Sequence, residues 1–310
     1  MYDLIIIGGG PAGVAAGVYA ARKKIKTLLI TEGFGGQSAV SADIQNWIGT
    51  KSISGFDLAK SLEEHVRAHD GSIDIIDDDV VTAVTSRADG GYSLATRNGK
   101  SFDTKYVLAA SGSRHKKLGI PGEKEYDGKG VVYCSTCDAP LFGGKNVVVV
   151  GGGNSALESV LDLIPYAAKI YILVRSDILK GDPVTQDKVK SHPNVEIIFN
   201  GVTDEVIGKE MVTGLKYHDA KTNEIKEIAV DGVFIEIGLT PNSEFLNGVV
   251  ALNSRGEVVT DPRTQETSAD GIWAAGDVTD GPYRQNNISV GDAVKAVLNI
   301  YDKHKMARSA

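Results

Sequence analysis

The 310 residues predict an α/β protein built twice on one βαβ plan, and three observations carry that prediction. An apolar run, Leu4 to Ile7, ends at Gly8-Gly9-Gly10-Pro11-Ala12-Gly13. A second, Val147 to Val150, ends at Gly151-Gly152-Gly153-Asn154-Ser155-Ala156. The third is spacing: Gly8 to Glu32 and Gly151 to Arg175 are both 24 residues, each running from a first glycine to the tip of the following strand.

In the first unit the isoleucine-rich run suits a strand buried on both faces. Ala12 to Ala21 is full of helix-favouring alanine, and Arg22, Lys23 and Lys24 place positive charge at the expected helix C-terminus. Thr27 to Ile30 completes the unit as its second strand. In the later copy a helix reaches about Ile164, Pro165 breaks it, and Ile170 to Val174 forms the next strand. The segments Asp79 to Thr85, Tyr92 to Arg97 and Val195 to Phe199 read as antiparallel strands inserted into the two units. Turns at Asp127-Gly128-Lys129-Gly130 and Gly143-Gly144 bracket a short cysteine segment, and Gly238 to Asn242 reads as a linker out of the second unit.

Glycine is needed at such turns because, without a Cβ, the loop bends tightly and its amides reach a pyrophosphate at the positive end of the helix dipole. Tight turns alone leave the matched downstream residues unexplained, because the ribose-reading position lies about 20 residues beyond the glycines. Glu32 can accept hydrogen bonds from an adenosine ribose, which suits FAD or NAD. Arg175, with Ser176 and Lys180, offers donors to a 2′-phosphate and so favours NADPH at the second site; a solvated surface arginine is the plain alternative.

Composition closes off other functions. The chain has 33 Lys and Arg against 40 Asp and Glu, a net charge of −7, and 42% hydrophobic residues. It carries no dense basic stripe, so nucleic acid is not an expected partner. No stretch approaches the roughly 20 apolar residues that span a bilayer, so no membrane partner is expected either. The first apolar run is far shorter than that of a signal peptide, and a cytoplasmic enzyme is expected.

Only two cysteines occur, Cys134 and Cys137, in Cys134-Ser135-Thr136-Cys137-Asp138. A zinc site would need two more ligands, and the six histidines offer no matching spacing. His65 and His69 lie one helical turn apart, but Glu63, Glu64, Arg67 and Asp70 mark that face as exposed, so no metal is expected. Two thiols at i and i+3 can close a small disulfide and exchange it with an external one, because one sulfur attacks while the other resolves the mixed disulfide. Asp138 is the adjacent proton carrier, with a helix N-cap as its ordinary alternative.

These residues resemble the low-molecular-weight thioredoxin reductase family, which includes the C-terminal core of the flavoprotein component of alkyl hydroperoxide reductase. The resemblance rests on both glycine motifs, Gly35-Gly36-Gln37, Asn46-Trp47, the cysteine segment, Ala275-Gly276-Asp277 and Tyr283-Arg284-Gln285. It implies two Rossmann-like three-layer nucleotide-binding domains, the second inserted into the first. Residues 1–113 and 243–310 would form the FAD domain, and 114–242 the NAD(P)H and redox-disulfide domain, in a homodimer.

By the same resemblance FAD would meet Gly8, Gly10, Pro11, Ala12, Gly13, Thr31, Glu32, Gly35, Gly36, Gln37, Asn46, Val84, Gly112, Gly276, Asp277, Arg284, Gln285 and Asn286. NAD(P)H would meet Gly151, Gly153, Asn154, Ser155, Ala156, Glu158, Arg175, Ser176 and Lys180. Cys137 would sit against the flavin, Cys134 would attack the disulfide of thioredoxin or a thioredoxin-like or glutaredoxin-like protein, and Asp138 would handle protons. The inserted domain would rotate to present nicotinamide and cysteines in turn. NADPH-dependent members carry two adjacent arginines after the second strand and a third a few residues on, where this chain has Arg175, Ser176 and Lys180. Ala139-Pro140-Leu141-Phe142, Gln186-Asp187-Lys188 and Asn194-Val195 are closer to the peroxide-reductase flavoprotein, which favours NADH. The donor is therefore NADPH or NADH, with NADPH placed first. A ferredoxin-fed or oxygen-linked dithiol oxidoreductase, and a redox-sensing flavoprotein without turnover, are the competing readings.

Overall fold

The computed structural model describes residues 1–40, 44, 46–69 and 71–309, the side chains at 40, 136, 137 and 307–309 excepted. The chain divides into two compact units, Met1–Arg114 with Thr240–Ala310, and His115–Leu239.

The first unit opens with β1 (Tyr2–Gly9), α1 (Pro11–Arg22), β2 (Thr27–Phe34), α2 (Gly55–Arg67) and β3 (Ile73–Ile76). It continues through β4 (Val81–Ser86), β5 (Tyr92–Thr96) and β6 (Ser101–Ala109). The strands run in the order β3-β2-β1-β6-β5-β4. Parallel pairing of β1 with both β2 and β6 is why its sequence is apolar without alternation: each face of the strand meets a different core. Leu4 and Ile6 pack with α1 and α2 through Val14, Leu58 and Val66. Ile5 and Ile7 pack instead with Val81, Val84 and Leu94 of the antiparallel β4–β5 hairpin. Full burial of each such side chain contributes roughly 1.5–3 kcal/mol.

A short strand, β7 (Ser113–His115), leads to the second unit. There β8 (Val131–Val132) and α3 (Ser135–Asp138) precede β9 (Asn146–Val150), α4 (Asn154–Leu163), β10 (Lys169–Val174), α5 (Pro183–Ser191) and β11 (Val195–Phe199). An antiparallel sheet of β12 (Gly201–Gly208), β13 (Val212–Asp219) and β14 (Ile225–Ile228) follows, then β15 (Gly232–Ile235). The parallel sheet has the order β11-β10-β9-β15-β8. Here too the valines of β9 divide between faces: Val147 and Val149 pack with α4 and α5, while Val148 and Val150 pack with Val206, Leu215 and Tyr217 of the antiparallel layer. Each unit is thus a parallel-cored sheet between helices and an antiparallel layer, the α/β architecture expected.

One expected strand changes character. Val195–Phe199 pairs parallel with β10, not antiparallel. The chain reaches it through α5, and a helical crossover returns it in the direction of β10. The inserted antiparallel layer lies further on, in β12 to β14.

The chain returns through β16 (Leu239–Pro241), which pairs with β7, to β17 (Ile272–Ala274) beside β6 and to α6 (Asn286–Ser309). The Asn242 amide donates to the Gly112 carbonyl at 2.9 Å within the first unit, and the Lys116 amide donates to the Gly238 carbonyl at 2.9 Å within the second. Entry and exit of the inserted segment are therefore adjacent in each unit. Among the described residues no helix is long and apolar enough to cross a membrane.

Candidate functional site

The first glycine turn is shaped by what surrounds it. Gly8 holds a positive φ of 113°, and a Cβ there would stand 2.3 Å from the Ala110 carbonyl oxygen. A Cβ on Gly13 would stand 1.8 Å from the Gly8 carbonyl oxygen, so the helix can approach the turn only because that position has none. Helix α1 begins at Pro11 with Gly10 as N-cap, no capping side chain and no acidic residue in its first turn. Its positive end is left open to an anion.

That turn floors a cavity of about 840 Å³, within the range of small-molecule sites. Gly8, Gly10, Pro11 and Ala12 line its base, and Thr31 and Glu32 stand at the end of β2. Gly36, Gln37 and Gly112 also line it, as do Gly276, Asp277, Arg284, Gln285 and Asn286, and Asn286 Oδ1 accepts the Ser38 hydroxyl at 2.8 Å. The remaining expected residues stand elsewhere. Gly13 lies beneath the turn, and Gly35, with φ of 89°, lets the chain pass against Ala59 of α2. Asn46 donates from Nδ2 to Gln285 Oε1 at 3.1 Å. Val84 is only 3% exposed and belongs to the core. It is not among the residues lining the cavity, to which the same hairpin contributes Val80, Val81 and Thr82.

Sequence reasoning also missed Asp79, Asn242 and Phe245, which line the cavity without belonging to any motif. A buried polar residue at the start of a strand was the available signal for Asp79, whose Oδ1 accepts the amides of Val80 at 2.8 Å and Asn98 at 3.2 Å.

The charges around the cavity are held by specific partners. Glu32 is exposed and paired with Arg97 at 2.6 Å. Arg284 is bound by Glu257, a carboxyl with a side chain 3% exposed that also takes Asn253 Nδ2 at 2.6 Å and Arg255 Nε at 3.0 Å. Burial pushes the Glu257 carboxyl up, but the Asn253 amide and the Arg284 guanidinium outweigh it and hold the group below its ordinary range. Arg284 lines the cavity, and its Nε is buried with no hydrogen-bond partner. Burial raises the Asp277 carboxyl, opposed in part by Arg284.

In the second unit Gly151 has φ of 150°, and a Cβ on it would meet the Glu236 carbonyl oxygen at 2.2 Å. Gly153 caps α4 without a side-chain bond, and the Lys180 amide donates to the Gly152 carbonyl at 2.7 Å. Asn154 Oδ1 accepts the Asp182 amide at 2.7 Å. Ser155 and Glu158 are exposed in the first turns of α4, while Ala156 is buried. Arg175 stands exposed past β10, and neither it nor exposed Lys180 has an ion-pair partner among the described residues. Ser176 donates its hydroxyl to the Ile178 carbonyl at 2.8 Å. The nine residues expected to meet NAD(P)H thus fall on the second turn, the start of α4 and the loop beyond β10.

The cysteine segment leaves β8 on the same unit. Cys134 is partly buried and disulfide-bonded, and its carbonyl accepts the Asp138 amide at 3.1 Å, closing the single turn of α3. Buried Ser135 donates to Asp162 Oδ2 at 2.7 Å and ties that turn to α4. The side chain of Cys137 lies outside the described residues. Asp138 occupies the N-cap position of the turn Ala139–Phe142 but makes no capping hydrogen bond, which sets aside the ordinary reading of it. Burial raises its carboxyl above the usual aspartate range. Among the described residues no group of His, Cys, Asp and Glu is arranged to hold a metal ion.

A model of the pyridine nucleotide-disulphide oxidoreductases matches residues 2–296. The F component of the alkyl hydroperoxide reductase of Pseudomonas putida is 44% identical over 311 residues, covering 100% of this chain and 59% of that protein. The chain therefore spans well under two thirds of that relative. Among solved structures, thioredoxin reductase of Lactococcus lactis superposes with a TM-score of 0.82 at 34% identity, covering 97% of this chain and 98% of the other. Thioredoxin reductase of T. acidophilum does so with 0.80 at 37% identity, covering 98% and 99%.

Proposed function

Because the chain belongs to the pyridine nucleotide-disulphide oxidoreductases, we propose that it passes electrons from NAD(P)H through FAD to the Cys134–Cys137 pair and on to the disulfide of a thioredoxin-like protein. The family implies FAD and a pyridine nucleotide; the residue assignments, the homodimer and the partner are our reading. The observation that carries it is a disulfide-bonded Cys134 in the unit that also holds the second glycine turn. A thioredoxin reductase similar along nearly its whole length supports it. The relative named for alkyl hydroperoxide reduction favours a second partner of the same chemistry, the dithiol protein of a peroxide-reducing system.

The residues present fit FAD in the first unit. The open N-terminus of α1 and the amides of the Gly8–Gly10 turn would hold its pyrophosphate, Glu32 its adenosine ribose, and Asp277, Arg284 and Gln285 the flavin half. When bound, FAD supplies two-electron transfer between a hydride donor and a disulfide. Gly151, Gly153 and the start of α4 would hold the pyrophosphate of NAD(P)H, with Arg175 and Lys180 available to a 2′-phosphate. Once the cysteine pair is reduced, the Cys134 thiolate attacks one sulfur of the partner's disulfide and expels the other as a thiolate. Cys137 then attacks Cys134, which restores the intramolecular disulfide and releases the partner as a dithiol. Asp138 gives a proton to the thiolate formed when its own disulfide opens.

Anaerobic titration of the purified flavoprotein with NADPH and with NADH tests this reading. Bleaching of the flavin by either nucleotide is the expected result, and the two affinities settle the preference. Bleaching only by reduced ferredoxin would replace the nucleotide version with the ferredoxin-fed one. A separate test addresses the cradle. Gly13→Ala is expected to yield protein with little bound flavin and a stability loss of about 1–3 kcal/mol, the usual cost of overpacking. Flavin-to-protein absorbance and a thermal melt read both effects, and a variant that retains full flavin content contradicts the placement of FAD over this turn.

A further inference from the structure

The carboxyl edge of the second unit's parallel sheet carries a side chain that no motif selects. β15 lies parallel beside β9, with Ile235 level with Val150. Glu236, the next residue, donates its amide to the Val150 carbonyl at 2.9 Å. Its own carbonyl abuts Gly151 so closely that a Cβ there would be 2.2 Å away. On the other side β15 pairs with β8, Phe234 level with Val132, and Cys134 follows Val132 by two residues as Glu236 follows Phe234. Glu236 therefore stands on one sheet edge between the phosphate turn and the start of the redox segment.

The strand order β11-β10-β9-β15-β8 reverses direction at β9. A dinucleotide bound at such a switch point lies across it. Arg175 and Lys180 mark the β10 side, where the adenosine half belongs, and Glu236 marks the β15 side, left for the nicotinamide half. The strands flanking Glu236 are apolar, Val147 to Val150 on β9 and Val233 to Ile235 on β15. The charged groups facing it are Asp162 and Glu158 of α4. Cys134, disulfide-bonded, precedes α3, and Asp138 ends it. Among the described residues no lysine, arginine or histidine acts on Glu236, and its carboxyl has no hydrogen-bond partner.

We propose that Glu236 sets the affinity of the second site for pyridine nucleotide: its neutral carboxyl donates a hydrogen bond to the nicotinamide half, and its carboxylate repels the dinucleotide. This rests on the reading that the second glycine turn binds NAD(P)H. Burial first, then Asp162 and Glu158, push the carboxyl up to about 8. Below that value Glu236 is a neutral donor suited to a ribose hydroxyl or a carboxamide oxygen. Above it a third negative charge joins Glu158 and Asp162, close to where the pyrophosphate must sit. Binding is thus favoured at lower pH and lost as pH rises through the Glu236 pKa, and a bound nucleotide holds the proton in place.

Calorimetric binding of NAD⁺ and NADP⁺ to the oxidised holoenzyme tests this without turnover. For the better ligand, Kd is expected to rise roughly tenfold between pH of about 7 and about 9, the factor that one pKa unit above the midpoint gives. Glu236→Gln keeps a neutral donor and is expected to bind equally well at both pH values, with flavin absorbance and melting temperature unchanged. An equal fall in both proteins, a flat wild-type profile, or a folded glutamine variant that binds at neither pH overturns the assignment of Glu236 alone. Failure of the wild type to bind either nucleotide at any pH instead removes the second nucleotide site, and this inference with it.

Discussion

Cys134→Ser is expected to stop disulfide reduction, by more than about 10³-fold in kcat, while nucleotide-driven bleaching of the flavin continues. The argument is chemical: only a thiolate can displace a thiolate from the partner's disulfide, and a serine hydroxyl at the same place neither attacks at neutral pH nor leaves. Loss of the covalent nucleophile from a catalytic unit has effects of this scale or larger. The reduction of flavin uses neither sulfur of the pair and is expected to proceed. Because the remaining thiol can no longer form a disulfide with position 134, the variant is also expected to show a long-wavelength thiolate-to-flavin absorption from Cys137. Turnover measured with a thioredoxin-like protein disulfide, beside the anaerobic spectrum, reads both consequences. A serine variant that keeps more than about a tenth of wild-type turnover places the exchange chemistry elsewhere in the chain and revives the sensing reading, in which the cysteines are bystanders.

How much of this was legible beforehand depends on how local the cause was. β1 and β9 were readable because burial on both faces forces an unbroken apolar run, and the glycines after them because Gly8 and Gly151 adopt conformations and close contacts that a Cβ would forbid. The direction of Val195–Phe199 was not readable from its own residues. An edge strand's composition is the same in either sense, and only the crossover through α5 decides it. The difference between Val84 and its neighbours was not readable either: Val81 and Val84 share one core cluster, and only Val81 also borders the cavity. The buried Glu257 that fixes Arg284 is distant in sequence and belongs to no spacing rule. Glu236 was invisible for a similar reason. Its meaning comes from two neighbouring strands, one ending at Gly151 and one leading to Cys134, that are brought level only by the sheet.

Asp138 shows what the structure adds to a residue the sequence had already singled out. Adjacent to the pair, it could have been a cap for the turn Ala139–Phe142, yet its side chain makes no capping bond. What acts on it is burial, which raises its carboxyl above the usual aspartate range. A raised pKa keeps more of the acid protonated as neutral pH is approached, and the protonated form is the one that can supply a proton when the disulfide opens. The sign follows: the rate of cysteine-pair reduction is at its plateau below the Asp138 pKa and falls as pH rises through it. Asp138→Asn preserves shape and polarity but has no proton to give. It is expected to slow that step by about 10² to 10⁴-fold, the ordinary contribution of a positioned acid, and to abolish this limb of the pH profile. Since no capping bond is lost, the melting temperature should stay at the wild-type value. Rapid anaerobic mixing of oxidised enzyme with one equivalent of its pyridine nucleotide across pH, following the flavin as it is reduced and then reoxidised by the cysteine disulfide, together with a thermal melt, reads all three. An asparagine variant with the wild-type rate and an unchanged pH limb assigns the proton to another group. A variant slowed only in proportion to a lowered melting temperature makes Asp138 a structural residue after all.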